Sequence, residues 1–470
     1  MKSINPIYCL LILVLVSCSI TSCKKFLEQE PSNRLSIDDV FKDFEGAITT
    51  LVGTYGNLKS TNYYERNFFL FADLTGGNIK YSRSNNTALL NSFNFSNNNQ
   101  ASSNDMTSFY EIGYNTIYRA NNIIYYANGI ADANQLQKNR MMADGYMFRA
   151  FGHFDLVRVF AQPYTFSADA SHTGIVIRTF NTLATIPIEP PSTVKQVYDQ
   201  IISDLDSAML LYQNSVPIYS GGSDKTWFSL DAARALKLRV LLYKEDWDGV
   251  VTLANLLTTT AYPLISNANY VNSWRRAATT NMDAEAIFML FARVDQNQGS
   301  FGDNFNPGNT TFGYMAATND ILNLFAPGDV RRDSSMFLIS TVNSRQYRFT
   351  RKYQGRNDSA NNQKIFRISE VILSRAEAYA EINNLPMALT DLNRIRQRAN
   401  PATPALNLTD RQQVLDSIFV ERRRELCFEG HGLFDITRKR RSLVRNDCTG
   451  TNCNVSYPSP LFAVPKPTQR

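Results

Sequence analysis

Two stretches of this chain repeat one pattern, and that pattern limits the fold more than any other feature. Residues 238–257 read LRVLLYKEDWDGVVTLANLL and residues 374–395 read SRAEAYAEINNLPMALTDLNRI. Each carries Arg-x-x-x-Tyr late in a first helix (Arg239/Tyr243 and Arg375/Tyr379), then a short turn, then a second amphipathic helix. This is the tetratricopeptide-like unit of roughly 34 residues. Such a pair cannot bury its apolar face alone, so several must stack. MFRAFGHF, with Arg149 and His153 at the same spacing, is a third echo. The expected architecture is therefore mostly α, built from stacked helical pairs with long irregular loops and a few short strands.

The remaining periodicity agrees. From Ser36, SIDDVFKDFEGAITTLVGTYGNL puts Val40, Phe44, Ile48, Leu51 and Tyr55 on one face, with Ser36 or Asp38 able to cap the first turn. Helical patterns follow at 104–128 and 135–160. Ser192, after two prolines, is the expected N-cap of a helix whose Val197, Ile201, Leu205 and Ala208 share a face. KTWFS at 225–229 and RQYRFTRKY at 345–353 read as short strands.

The N-terminus carries a targeting signal. Lys2 precedes a ten-residue apolar run, IYCLLILVLV, too short for the about 20 residues that cross a bilayer and suited to the core of a signal peptide. LVSC ending at Cys18 and ITSC ending at Cys23 are both similar to a bacterial lipobox, whose cysteine is lipidated. Cys427 lies in a helical pattern and is expected to be a buried thiol. Cys448 and Cys453 bracket the turn-forming TGTN. In an oxidising compartment they suit a small disulfide loop; one CxxxxC without a second ligand pair makes a poor zinc site, and no metal is expected.

A net charge of +6 over 470 residues is too mild for a chain whose main partner is nucleic acid. The chemically densest stretch is ERRRELCFEGHGLFDITRKR, residues 421–440. Leu415, Ile418, Phe419, Arg422 and Leu426 follow helical spacing, and Gly430 suits a C-terminal cap. Glu421 and Glu425 sit one turn apart, with Arg422, Arg424 and Glu429 at three- and four-residue spacing, so the segment reads as a structural network of Arg and carboxylate. His153, His172 and His431 each stand alone, and HExxH, GxSxG, a phosphate loop and CxxC are all absent. Two carboxylates would suffice for glycoside hydrolysis, but no motif selects a pair among 42 acids. The chain is expected not to be an enzyme and to need no cofactor.

Several segments together resemble the SusD/RagB family of Bacteroidetes surface lipoproteins. They are CKKFLEQEPSN, ADGYMFRAFGHFDLVRVFAQPY, VYDQIISDLDSA, GDVRRDSSMF, RISEVILSRAEAYAEINNLPMALTDLNRIRQRA and the 421–440 stretch, in family order and nearly end to end. Gly432 and Leu433 depart from the family's usual Arg and aromatic, and LFAVPKPTQR replaces an Asn-rich ending. The resemblance favours Cys23 as the lipidated residue, making residues 1–22 a signal peptide. Residues 23–470 are then one SusD-like domain with loop-rich insertions near 76–104 and 260–360. It implies a lipid-anchored protein on the outer face of the outer membrane that captures a glycan, or in some members a peptide, and passes it to a SusC-like TonB-dependent transporter. The helical repeats alone would equally suit a protein-interaction scaffold.

A ligand site is expected on two aromatic, Asn-rich loops. Flat aromatic rings match the C–H face of a sugar, and Asn, Asp and Arg match its hydroxyl edge. The loop at 78–98 offers Asn78, Tyr81, Arg83, Phe93, Phe95 and Asn98. The loop at 299–314 offers Phe301, Asp303, Asn304, Phe305, Phe312 and Tyr314. Family members bind through corresponding regions. Each phenylalanine has the alternative of tucking inward to pin its loop; Tyr81 and Tyr314 suit a wet site better. Trp247 and Trp274 lie in helical patterns and read as core, while Trp227 suits either role.

Overall fold

A computed structural model describes residues 36–83, 88–181, 189–220, 224–258, 261–274, 284–291, 301–308, 313–353 and 362–468. Among them the longer helices are α1 (Phe44–Leu58), α2 (Asn67–Thr75), α3 (Thr107–Tyr126), α4 (Gln135–Phe160), α5 (Val194–Gln213), α6 (Leu230–Lys244), α7 (Trp247–Leu257), α8 (Ile368–Glu381), α9 (Leu385–Ala399), α10 (Arg411–Leu426) and α11 (Gly432–Arg438). Helices pack in succession, α1 on α3, α3 on α4 and so on through α7 on α8, with α10 against both α8 and α9. Stacking buries what each pair alone would expose.

The repeated arginines explain part of this stacking. Arg149 of α4 pairs with Asp204 of α5 at 2.6 Å, Arg239 of α6 holds Glu370 of α8 through two bonds of 2.7 Å, and Arg375 of α8 holds Asp391 of α9 through two of 2.8 Å. Each echo of the motif thus clamps one helix to a neighbour by a charge-assisted, near-bidentate bond. His153, one turn after Arg149, is buried and accepts a bond from the Arg178 amide.

Local signals set the helix ends. Asn134 and Gln137 form a capping box at α4, and Thr193 and Gln196 form another at α5. The cap of α5 is Thr193 rather than the expected Ser192, whose amide and carbonyl are taken by the backbone of Ile175 and Gly174. Val197, Ile201, Leu205 and Ala208 are all buried, as their spacing requires. The helix expected from Ser36 is broken. Ser36 caps only a four-residue turn, Ile37–Val40, and Asp43 caps α1 by accepting from Gly46 N. Between them Phe41 leaves the helical path and stacks on Tyr126, 5.0 Å between centroids.

Among the described residues six short strands, β1 (Ile79–Tyr81), β2 (Ala286–Leu290), β3 (Met315–Ala317), β4 (Phe337–Val342), β5 (Arg345–Thr350) and β6 (Gln363–Arg367), form three antiparallel pairs, β1–β3, β2–β6 and β4–β5. The strand expected at 345–353 is β5. KTWFS is not a strand: Asp224–Thr226 is a 3-10 turn, Phe228 is fully buried, and half-buried Trp227 stacks on Tyr219 at 4.2 Å. Aromatic packing there outweighs strand propensity. Trp274 is core, whereas Trp247 is only half-buried. Cys448 and Cys453 are joined by a disulfide, and Cys427 is a free, buried thiol. Among the described residues no helix is long and apolar enough to cross a membrane.

Candidate functional site

The acids of residues 421–440 are fully committed to the core. Glu425, with no exposed surface, is ringed by Arg367 (2.7 Å), Arg331 (2.9 Å) and Arg398. Glu421 takes Arg331 and Arg424; Glu429 takes Lys352 and Arg367. Apart from Arg424, these partners come from distant segments rather than from α10 itself. Arg422 turns away to Asp435 and Ser374, and Arg438 joins Asp435 to Glu377. Burial alone would raise the carboxyl of Glu425, but Arg398, Arg367, Arg331 and Lys352 outweigh it and hold it well below its usual range. Gly430 does have a positive φ of 80°, but α10 ends earlier, at Leu426, with Cys427 as its cap. Gly430 instead shapes the following turn, where its amide and that of Phe428 donate to buried Asp73.

Two of the three histidines lie in the core. His431 and His153 are buried, and burial keeps both rings neutral, His153 down to about 3. His172 is not alone, as its sequence context suggests: Nδ1 meets Ser167 Oγ at 2.7 Å and Nε2 meets the Gln162 carbonyl at 3.2 Å, which fixes a loop. Burial pushes the Cys427 thiol up to about 12. Among the described residues no group of three or more His, Cys, Asp or Glu could hold a metal.

The two Asn-rich loops meet through β1 and β3. Tyr81 pairs with Met315 across the strands, Ser82 N donates to the Tyr314 carbonyl at 2.6 Å, and Arg83 Nη2 donates to the Pro307 carbonyl at 2.9 Å. Tyr81 stacks on Tyr314 at 6.5 Å and meets the edge of Phe93 at 5.2 Å. Tyr81 and Arg83 are half-buried, and Arg83 Nε has no partner among the described residues. This junction of ring, guanidinium and loop carbonyl is where the structure brings sequence-expected residues together.

The others are placed differently. Asn78 is buried, bonded to Asp73 and to Arg423 of α10, and so ties β1 to the scaffold. Phe93 and Phe95 point inward, and Tyr314 is only 2% exposed. Asn98 is exposed. Phe301 and Phe305 are buried against Tyr353, with Phe301 also meeting Phe69 at 5.5 Å, so they pin the second loop. Asp303 and Asn304 are buried beside them. Glu65 lies close enough for Asp303 to act on it; burial first, and Asp303 in addition, push its carboxyl up to about 7 against Lys59 and Arg66. Phe312 and Cys23 lie outside the described residues. The sequence reading missed Lys80, which pairs with Asp447 at 2.6 Å and lies over the Tyr347 ring, and Asp105, which caps the first loop through the Ser92 amide. Alternation along β1 could have flagged Lys80; nothing local marks Asp105.

Comparison with known proteins places this scaffold. Residues 280–456 match the SusD family, and residues 25–242 match the family described as "Starch-binding associating with outer membrane". The chain is 23% identical to SusD-like protein P38 of Formosa agariphila, over 92% of this chain and 91% of that one, and 24% identical to SusD-like protein P2 of the same organism, over 96% and 93%. Among solved structures it superposes on a putative sugar binding protein from Bacteroides vulgatus with a TM-score of 0.77 at 25% identity, covering 91% and 95% of the two chains. The fold is shared with surface glycan-binding protein A of Bacteroides thetaiotaomicron, at a TM-score of 0.72, 17% identity and coverage of 90% and 96%. The chain belongs to the SusD/RagB family.

Proposed function

We propose that this protein is a cell-surface lipoprotein, anchored through Cys23, that captures an oligosaccharide on the face formed by its two Asn-rich loops. It then delivers the sugar to a SusC-like TonB-dependent transporter and performs no catalysis. The observation that carries the reading is the β1–β3 junction, where half-buried Tyr81 ends the strand that pairs the two loops and half-buried Arg83 follows two residues on. Binding residues on loops held by a rigid scaffold are the usual arrangement. Tyr81 and Arg83 each keep part of their surface exposed, a ring and a guanidinium side by side, which suits the mixed apolar and hydroxyl surface of a sugar. The "Starch-binding" family match and the sugar-binding relative support a glycan over other ligands. Commitment of the acids of 421–440 to arginines supports binding without hydrolysis. A lipid-anchored binder has no route of its own across the membrane, so a barrel partner is required to move the captured sugar.

The test is a glycan and peptide panel on the soluble chain lacking residues 1–22, starting with maltooligosaccharides. Saturable binding of a glycan that weakens in a folded Tyr81→Ala, Arg83→Ala double variant supports the reading. Binding of peptides alone, or unchanged glycan affinity in that variant, contradicts it.

A further inference from the structure

We infer that Arg445, held by the Cys448–Cys453 ring, is a positioning residue that supports the first Asn-rich loop from behind. The inference deepens the binding-face reading above and rests on it for its consequence, though not for its test.

Arg445 is an unusual cation. It is 3% exposed and has no carboxylate partner among the described residues. Its guanidinium donates instead to two main-chain carbonyls of the disulfide ring, from Nε to Cys453 O at 3.1 Å and from Nη2 to Asn452 O at 2.9 Å. Its charge is otherwise met by ring faces, 4.7 Å from the centroid of Phe93 and 5.2 Å from that of Phe95. Burial lowers its pKa to about 10, and Nη1 makes no hydrogen bond among the described residues. A buried charge kept at such cost needs a geometry that holds it.

The disulfide ring supplies that geometry and touches the same loop directly. Leu443 and Val455 exchange two backbone bonds, closing the base of the segment, and the disulfide closes its tip. Thr451 N donates to Asn94 Oδ1 at 3.0 Å and Asn452 Nδ2 donates to Asn94 O at 2.8 Å. Gly450 lies flat on the loop, where a Cβ would overlap Asn94 and the Phe93 ring. The Arg445 stem also rests on Gly77, just before β1, where a Cβ would come within 2.9 Å. The guanidinium is thus packed behind Phe93, which also makes a T-shaped contact with Tyr81. The loop at 93–95, with Phe95 held at a φ of 52°, has its back fixed by a covalently closed ring, directly at Asn94 and through Arg445 at Phe93 and Phe95. Pre-organising a loop in this way reduces the ordering cost of binding.

The test is amide hydrogen exchange on the ligand-free chain, disulfide intact and after reduction with a phosphine, for the wild type, Arg445→Met and Arg445→Lys. Opening the ring should speed exchange of residues 91–97 by about tenfold while α3 and α4 keep their protection. Arg445→Met, which keeps the packed stem, should give part of that increase with the disulfide intact, and reduction should then add less than it does in the wild type. Arg445→Lys, which keeps a cation and one carbonyl bond, should restore part of the protection. Unchanged exchange at 91–97 in the fully reduced wild type overturns the inference, and that arm needs no substitution that could fail to fold. Additive effects of reduction and Arg445→Met overturn the role of Arg445 in transmitting it. Failure of the glycan panel would leave these outcomes readable, because no ligand is present.

Discussion

The 421–440 segment and the loop at 78–98 are both crowded with polar residues, yet the molecule uses them in opposite ways. In the first, Glu421, Glu425, Glu429 and Asp435 are buried and each is met by at least two cations. In the second, Asn98 is exposed, Tyr81 and Arg83 are half-buried, and much of the bonding runs to backbone carbonyls. Density of charge therefore marks the scaffold, and neutral amides with aromatics mark the face that we propose meets a ligand. Full ionic satisfaction commits the first set to structure, whereas the partly exposed groups of the second would retain capacity for hydroxyls.

If this contrast holds, the largest effects belong to the buried network. Arg367→Met removes a cation shared by Glu285, Glu425 and Glu429, leaving Glu285 to Arg398, Glu425 to Arg331 and Arg398, and Glu429 to Lys352, with one buried positive charge fewer. It should cost about 3–5 kcal/mol in urea unfolding. A loss below about 1 kcal/mol would show the network to be dispensable.

Next comes pH. Burial alone would raise the carboxyl of Glu377, but Arg438 and Lys439 outweigh it and hold it at about 2, below its ordinary 4.5. The folded state therefore binds this proton less readily than the unfolded chain. The resulting stability is present above about pH 4.5 and lost as pH falls toward 2. It amounts to roughly 3 kcal/mol from the size of the shift. Glu377→Gln should lower stability at pH 7 and flatten the fall of Tm across that window.

On the loop face the effect should appear in affinity rather than stability. Tyr81→Ala should weaken glycan binding about thirtyfold, roughly 2 kcal/mol, with a small change in Tm. Tyr314→Ala, at a buried ring, should chiefly lower Tm. The smallest expected effect is at the α5 cap, where Thr193→Ala should cost about 1 kcal/mol and Ser192→Ala should cost less.

Much of the scaffold was legible in the sequence because helical periodicity is a local signal that tertiary packing reinforces. Val197, Ile201, Leu205 and Ala208 illustrate this. The failures occurred where tertiary contacts decide between local options. Phe41 breaks a helix to reach Tyr126, Thr193 caps because Ser192 is held by Gly174 and Ile175, and Trp227 stacks on Tyr219 in a turn. The candidate loops stood out by composition, but which aromatics point outward did not. Phe93, Phe301 and Phe305 turn inward onto partners far away in the chain, and no local pattern encodes that choice.

The most direct test of the account is a hydrogen-exchange footprint of the bound state. The soluble chain is saturated with the tightest glycan from the panel and compared with the free protein. Protection concentrated at residues 80–98 and 301–314, with residues 421–440 unchanged, is the predicted result. Protection centred on the Tyr219–Trp227 stack or on α10 and α11, with the two loops unchanged, would contradict it.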